Sequence, residues 1–216
     1  MNIGVLASHN GTNLQAMIDA CEAKKLNATV CVVISNNSNS GAADRAKRHK
    51  IDFRHLSSAT HPDPDSLDTA ICDTLDSAKT DIVFLAGYMK KLGNITLEKY
   101  KGIILNTHPA LLPKFGGKGM YGMNVHRAVI EAREQKSGIS IHIVDTEYDT
   151  GPVIAQCFVD VMPEDTPETL RERVITRERS FVVETLQRIA SGELKMIQSK
   201  KIVTEAGMKP HILITL

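Results

Sequence analysis

An amide and an imidazole two residues apart, Asn106 and His108, and a carboxylate further along, Asp149, are the side chains of this sequence best suited to chemistry. An Asn side chain can donate to a carbonyl oxygen as that oxygen gains negative charge. A His exchanges protons near neutrality, and a carboxylate beside it favours the imidazolium and so raises its pKa. No Ser or Cys stands in a recognisable nucleophile setting, and Cys157 falls inside an apolar run where burial is the default. The three groups together suggest direct acyl transfer with a His proton shuttle and no covalent enzyme intermediate.

The position of these residues matters as much as their type. Ile103, Ile104 and Leu105 form the kind of short apolar run that fills a buried parallel strand, and the run stops abruptly at Asn106-Thr107-His108-Pro109. Pro109 and Pro113 withhold backbone donors, so the segment after His108 cannot continue as a central strand. A plain strand ending in an Asn-initiated turn would look the same locally. The carboxyl edge of an open α/β sheet is, however, where ligands bind. Asp149 lies in a second turn, residues 147–152, between apolar runs at 138–146 and 153–161.

The elements that must position these groups alternate regularly. Residues 2–7, 29–35, 51–56 and 81–86 read as strands, and helical spacing follows each of them, at 14–21, 42–49, 66–78 and 93–100. Such alternation implies parallel pairing with right-handed crossovers. A further helix is expected at 124–133. Residues 138–146 alternate, with Ile139, Ile141 and Ile143 on one face and Ser140, His142 and Val144 on the other, and they pair hairpin-fashion with 153–161. A long helix opens at Thr166-Pro167-Glu168, with Pro at its first position. From Lys195 the tail alternates weakly, as an edge strand and loose terminus would. The expected fold is α/β: a doubly wound, Rossmann-like, mostly parallel sheet with flanking helices and an antiparallel C-terminal strand pair.

Two further features invite a ligand. Ser8-His9-Asn10-Gly11-Thr12-Asn13 joins the first strand to the first helix, presenting helix N–H groups and a positive dipole end that suit a phosphate. Gly11 would allow close backbone approach, and Thr12 and Asn13 add side-chain donors. A plain N-cap is the alternative. In the last helix Glu178 falls on the apolar stripe of Leu170, Val174, Phe181, Val182, Leu186 and Ile189. A carboxylate there needs a ligand or a structural ion-pair partner. Between them, the glycines at 116, 117, 119 and 122 mark a loop that is mobile or close to a ligand.

Bulk composition excludes several function classes. The chain has 216 residues, 42% hydrophobic and 24% charged, with a formal net charge of +1. That is ordinary globular composition without the basic surplus of a nucleic-acid binder. The four cysteines, Cys21, Cys31, Cys72 and Cys157, have neither zinc-site nor disulfide spacing, and no metal is expected. No apolar run is long enough to span a bilayer, and no signal peptide is evident. A soluble cytoplasmic protein is expected, with no nucleic-acid or membrane partner, as a monomer or homodimer.

Taken together, Ser8-His9-Asn10-Gly11-Thr12-Asn13-Leu14-Gln15-Ala16, Leu85-Ala86-Gly87-Tyr88-Met89, residues 105–113 and Asp149-Thr150-Gly151-Pro152-Val153-Ile154 resemble the glycinamide ribonucleotide formyltransferase family of purine biosynthesis in order and separation. The resemblance covers nearly the whole length. It implies one formyltransferase domain over 1–216, with a phosphate-binding half at 1–100 and a catalytic and folate-binding half at 101–216. It implies transfer of a formyl group from 10-formyltetrahydrofolate, as co-substrate, to the amine of glycinamide ribonucleotide. By the same resemblance Asn106, His108 and Asp149 are catalytic, Gly11, Thr12 and Asn13 hold the substrate phosphate, and Glu178 meets the ribonucleotide. Met89, Lys90, Lys91, Leu92, Asn106 and Tyr148 line the folate pocket.

The sequence departs from the family pattern at Lys90, where Arg is common and its planar fork is lost, and at Pro64, which falls about where a folate-binding Arg often stands. Thr107 and Tyr148 are milder variants. Among relatives in chemistry, methionyl-tRNA formyltransferase needs an added RNA-binding domain, and formyltetrahydrofolate hydrolase an N-terminal regulatory domain, where this chain starts at its first strand. A non-catalytic phosphate- or folate-binding module is the rival from another class. The intact Asn106, His108 and Asp149 speak against it.

Overall fold

A computed structural model describes residues 1–195; the strand expected from Lys195 onward otherwise lies outside the described residues. The apolar runs become a seven-stranded sheet: β1 (Asn2–Leu6), β2 (Thr29–Ser35), β3 (Asp52–His55), β4 (Ile82–Leu85), β5 (Ile104–His108), β6 (Lys136–Ile143) and β7 (Val153–Asp160). Their order is β3-β2-β1-β4-β5-β6-β7. The first five strands pair in parallel, and β6 and β7 run antiparallel to their neighbours. The expected doubly wound, mostly parallel sheet with an antiparallel C-terminal pair is thus observed. The chain leaves β1 in opposite directions to reach β2 and β4, so the crevice of the sheet opens beyond their carboxyl ends.

Helices cover both faces: α1 (Thr12–Glu22), α2 (Gly41–Arg48), α3 (Pro64–Ser77), α4 (Asn94–Lys99), α5 (Met123–Glu131) and α6 (Pro167–Ala190). One core lies between the sheet and α1, α5 and α6, through Leu14, Met17, Phe84, Leu105, Val129, Val174 and Phe181. The other lies beneath α3 and α4, through Leu6, Ile34, Ile71, Leu75, Leu97 and Tyr100. Ser40 and Asp63 accept from backbone N–H groups of α2 and α3, and Thr166 forms a capping box with Thr169 ahead of Pro167.

The sequence pattern of β6 gave the right strand and an incomplete account of its faces. Ser137 to Ile143 are all buried, so the polar face carrying Ser140 and His142 is as covered as the Ile face. The cover is the chain after His108. Ser140 Oγ donates to the Ala110 carbonyl (2.7 Å) and accepts from the Leu112 N–H (2.9 Å) and from Gln156 Nε2 (2.8 Å). Pro109 and Pro113 turn this segment off the sheet, and a strand hydroxyl takes up its backbone groups.

A buried carboxylate ties α3 to α4 just ahead of β5. Asp68 accepts from the Ile95 N–H (2.7 Å), the Thr96 N–H (3.3 Å) and the Thr96 hydroxyl (2.5 Å). Asp68→Ala leaves these donors buried and unpartnered, and is expected to cost about 2–4 kcal/mol in urea unfolding. On α5, His126 is 2% exposed, its Nδ1 has no partner, and burial, aided by Arg171 and His108, pushes its pKa down to about 4. Because this folded value lies below the ordinary imidazole value of 6.5, stability is full above pH 6.5 and falls as pH drops toward 4. His126 should contribute about 3 kcal/mol to that loss. Unfolding free energies for His126→Met across this window should show a correspondingly shallower slope.

Candidate active site

The site gathers at the carboxyl ends of β1, β4 and β5. β5 lies between a parallel neighbour, β4, and an antiparallel one, β6, which places Asn106 opposite His142 and His108 opposite Ser140. The turn after β6 then brings Asp149 back over the end of β5. The carboxylate lies 3.5 Å from His108 Nδ1 through Oδ2 and 3.4 Å from His142 Nε2 through Oδ1. The Gly117 N–H donates to Oδ2 at 3.0 Å. The expected triad of Asn106, His108 and Asp149 is therefore brought together.

His142 belongs to the same cluster and sequence reasoning left it out. Its Nδ1 donates to the Ile143 carbonyl (3.0 Å), and its Nε2 accepts from Asn106 Nδ2 (3.1 Å). That contact sets the direction of the Asn106 amide and leaves the second N–H of the amide for another acceptor. The available signal was a His on the polar face of a strand adjoining the Asn106 strand.

Burial decides the charge states. His108 is 3% exposed, and desolvation lowers its pKa; Asp149 and the Phe115 carbonyl oppose that fall without overcoming it. The sequence argument, that the carboxylate raises the His pKa, named a real interaction but omitted the larger one. For Asp149 the balance tips the other way. Burial raises its pKa, but the His142 ring, the Gly117 N–H and the two imidazoles together hold it below the usual value.

The first loop of the sheet supplies an anion cradle. Gly11 is the N-cap of α1 with φ 67°, in the left-handed region that favours glycine, and no side chain caps the helix. The first N–H groups of α1 therefore remain available to a ligand. A Cβ on Gly11 would also lie 3.0 Å from the Ala42 backbone. Thr12 is half-buried and Asn13 buried, with Asn13 Oδ1 unpartnered. Glu178 on α6 faces the same place. Its carboxylate accepts from the Thr107 hydroxyl at 2.9 Å, and desolvation raises its pKa against the pull of Thr107 and Asn13. Among the described residues no ion pair holds it. Glu178, in contact with both Thr107 and Asn13, thereby links the end of β5 to the start of α1.

The loop after β4 forms the other wall. Ser8 connects the loops of β1 and β4: its N–H donates to the Gly87 carbonyl (3.2 Å) and its hydroxyl accepts from the Met89 N–H (2.8 Å). Leu92 is buried, while Met89, Lys90 and Lys91 are exposed. Lys91 reaches Glu147 at 3.8 Å and sits 5.7 Å above the ring of Tyr148, so the 88–92 loop and the turn before Asp149 face each other. Pro64 opens α3 at its first turn and is exposed. No group of His, Cys, Asp or Glu among the described residues has metal-binding geometry, and no helix among them is long and apolar enough to cross a membrane.

Phosphoribosylglycinamide formyltransferase of Escherichia coli (strain K12) is 37% identical over 196 residues, covering 91% of this chain and 90% of its own. The chloroplastic phosphoribosylglycinamide formyltransferase of Arabidopsis thaliana is 37% identical over 194 residues, covering 89% of this chain, which spans 66% of that longer protein. The structure of phosphoribosylglycinamide formyltransferase from Coxiella burnetii matches with a TM-score of 0.82 at 36% identity, covering 89% of this chain and 88% of that one. Residues 1–186 match the family model described as formyl transferase, and the chain belongs to that family.

Proposed function

We propose that this protein transfers the formyl group of 10-formyltetrahydrofolate to the amine of glycinamide ribonucleotide, yielding formylglycinamide ribonucleotide and tetrahydrofolate, a step of purine biosynthesis. The observation that carries this reading is one continuous line of contacts. It runs from the anion cradle at Gly11, Thr12 and Asn13 through Glu178 and Thr107 to Asn106, His108 and Asp149. A phosphorylated amine held at the cradle and Glu178 has its nucleophile directed toward the end of β5. The names of the relatives in E. coli and A. thaliana carry the same activity. In this reading residues 1–100 supply the phosphate-binding half and 101–216 the catalytic half, and the folate wall draws on both.

The folate co-substrate supplies the formyl carbon. Exposed Met89 and Tyr148, with Lys91 across the Tyr ring, offer the apolar, partly cationic wall that a flat ring and an acidic tail require. Met89, Lys90, Lys91, Leu92, Asn106 and Tyr148 would hold it. Lys90 and Lys91 are then point charges for the tail, in place of the planar fork of an Arg.

The chain's own groups divide the chemistry. The free N–H of Asn106, and His108 when protonated, donate to the formyl oxygen as it gains charge. A new C–N bond forms at the formyl carbon and the bond to the folate nitrogen breaks. The amine gives up a proton and the folate nitrogen takes one, and His108 moves that proton directly or through water. Asp149 orients His108 and favours its charged form; His142 aims the Asn106 amide.

The direct test is to incubate the protein with both substrates and detect formylglycinamide ribonucleotide by mass. Absence of product with the ribonucleotide, together with hydrolysis of the formyl donor, would replace transfer by deformylation. Asn106→Ala and His108→Ala should each lower turnover at least about 10²-fold while both substrates still bind, since loss of one donor to a developing oxyanion typically has that effect. Asp149→Asn keeps the shape and removes the charge that lifts the His108 pKa. The limb of the pH–rate profile belonging to His108 should therefore move to lower pH, and a limb that stays in place would mean that Asp149 does not act through His108.

A further inference from the structure

We infer that the backbone of the turn at residues 115–117 is a positioning element for His108 and Asp149: the Phe115 carbonyl keeps a proton on His108 Nε2, and the Gly117 N–H holds Asp149 on the Nδ1 side, so that Nδ1 is the nitrogen that exchanges protons in turnover. The inference rests on the transferase reading for its last clause; the tautomer itself does not depend on it.

His108 Nε2 lies 2.7 Å from the Phe115 carbonyl oxygen. A carbonyl can only accept, so Nε2 carries hydrogen whether the ring is neutral or charged. The other nitrogen, Nδ1, faces Asp149 Oδ2 at 3.5 Å, and that same oxygen accepts the Gly117 N–H at 3.0 Å. Two backbone groups two residues apart thus reach the two partners of one proton-transfer pair. When Nδ1 takes a proton, it meets the oxygen that the turn has already fixed.

The turn is built to hold this shape. Phe115 and Gly117 both have positive φ, 57° and 93°. A Cβ on Gly116 would overlap Leu112 Cδ2 and lie 3.3 Å from Asp149 Cβ, so the backbone passes against Asp149 only because that residue has no side chain. The root of the turn is anchored by Ser140 to Ala110 and Leu112, and by Gln156 Nε2 to the Leu112 carbonyl at 3.1 Å. The Phe115 ring packs on the main core. A turn serving only to connect β5 to α5 would not need to aim both polar groups at His108 and Asp149.

The experiment has two parts. In the first, ¹⁵N NMR of the wild-type protein with labelled histidine, above the His108 pKa, is expected to show the proton on Nε2. A proton on Nδ1, or rapid averaging of the two tautomers, would overturn the inference whatever the protein catalyses. The second part compares Gly117→Ala with Gly119→Ala. Both glycines have strongly positive φ, 93° and 89°, and an added Cβ meets nothing within 4 Å at either, so the backbone penalty is matched. Only Gly117 contacts the pair. Gly117→Ala should lower kcat about tenfold or more with little change in KM, as loss of an orienting partner does. It should also move the acid limb of the pH–rate profile upward, because the Gly117 N–H is one of the contacts that hold the Asp149 pKa down. Gly119→Ala should keep the wild-type profile. Equal losses in the two variants with unchanged profiles would make the turn a packing element. If no transfer is detected but the proton sits on Nε2, the transferase reading fails and the tautomer assignment stands.

Discussion

A carboxylate drawn out of water needs polar surroundings, and Asp149 finds them in three segments far apart in sequence: the His108 ring at the end of β5, the His142 ring within β6, and the Gly117 N–H that donates to it. Much of the architecture can be read as what is needed to bring those three together. β6 must run antiparallel to β5 for His142 to lie opposite Asn106, and the chain must double back after β6 for Asp149 to return over the strand end. Without the carboxylate, only the Phe115 carbonyl would oppose the burial that lowers the His108 pKa. Without the imidazoles and the N–H, burial would drive the carboxylate toward its neutral form.

The result is a pair poised by opposing terms of similar kind. Desolvation lowers the His108 pKa, and Asp149 with the Phe115 carbonyl raises it. A His whose pKa is set by such a balance changes charge in response to small movements of its partners, which suits the proton shuttle proposed for His108. The same logic applies to Glu178. Its burial favours the neutral form, and the Thr107 and Asn13 side chains favour the charged one. A cationic or amine-bearing ligand beside it would tip that balance toward the carboxylate.

Much of this was legible in the sequence. Buried parallel strands appear as uninterrupted apolar runs, so β1, β2 and β4 are marked by composition alone, and the start of the last helix is marked by Thr166 and Pro167. Asn106, His108 and Asp149 stood out because polar chemistry-bearing residues end strands at the ligand edge. His142 did not, because an alternating strand reads as half-solvated, and nothing local reveals that the chain after His108 folds over its polar face. The direction of the His108 shift was missed for the same reason: a partner can be guessed from sequence, but the depth of burial that outweighs it depends on tertiary cover. The contribution of Phe115 and Gly117 is made by backbone atoms, which leave no residue-type signature beyond a cluster of glycines.

The two ends of the cleft are held by interactions of different strength, and this difference fits their tasks. At the floor, buried hydrogen bonds fix the atoms beside which charge would develop in the proposed transfer, and a loose donor there would lose most of its value. At the mouth, the 88–92 loop meets the turn before Asp149 through an exposed 3.8 Å ion pair between Lys91 and Glu147 and a cation above the Tyr148 ring. Contacts of this kind contribute about 1 kcal/mol or less each and are screened by salt. A ligand with an anionic tail can exchange its own charge for Glu147 at little cost, so Lys91 is both a strut of the resting mouth and a cation available to the ligand. That dual use offers a physical route by which Lys91, beside exposed Lys90, would present positive charge to the acidic tail of the proposed co-substrate.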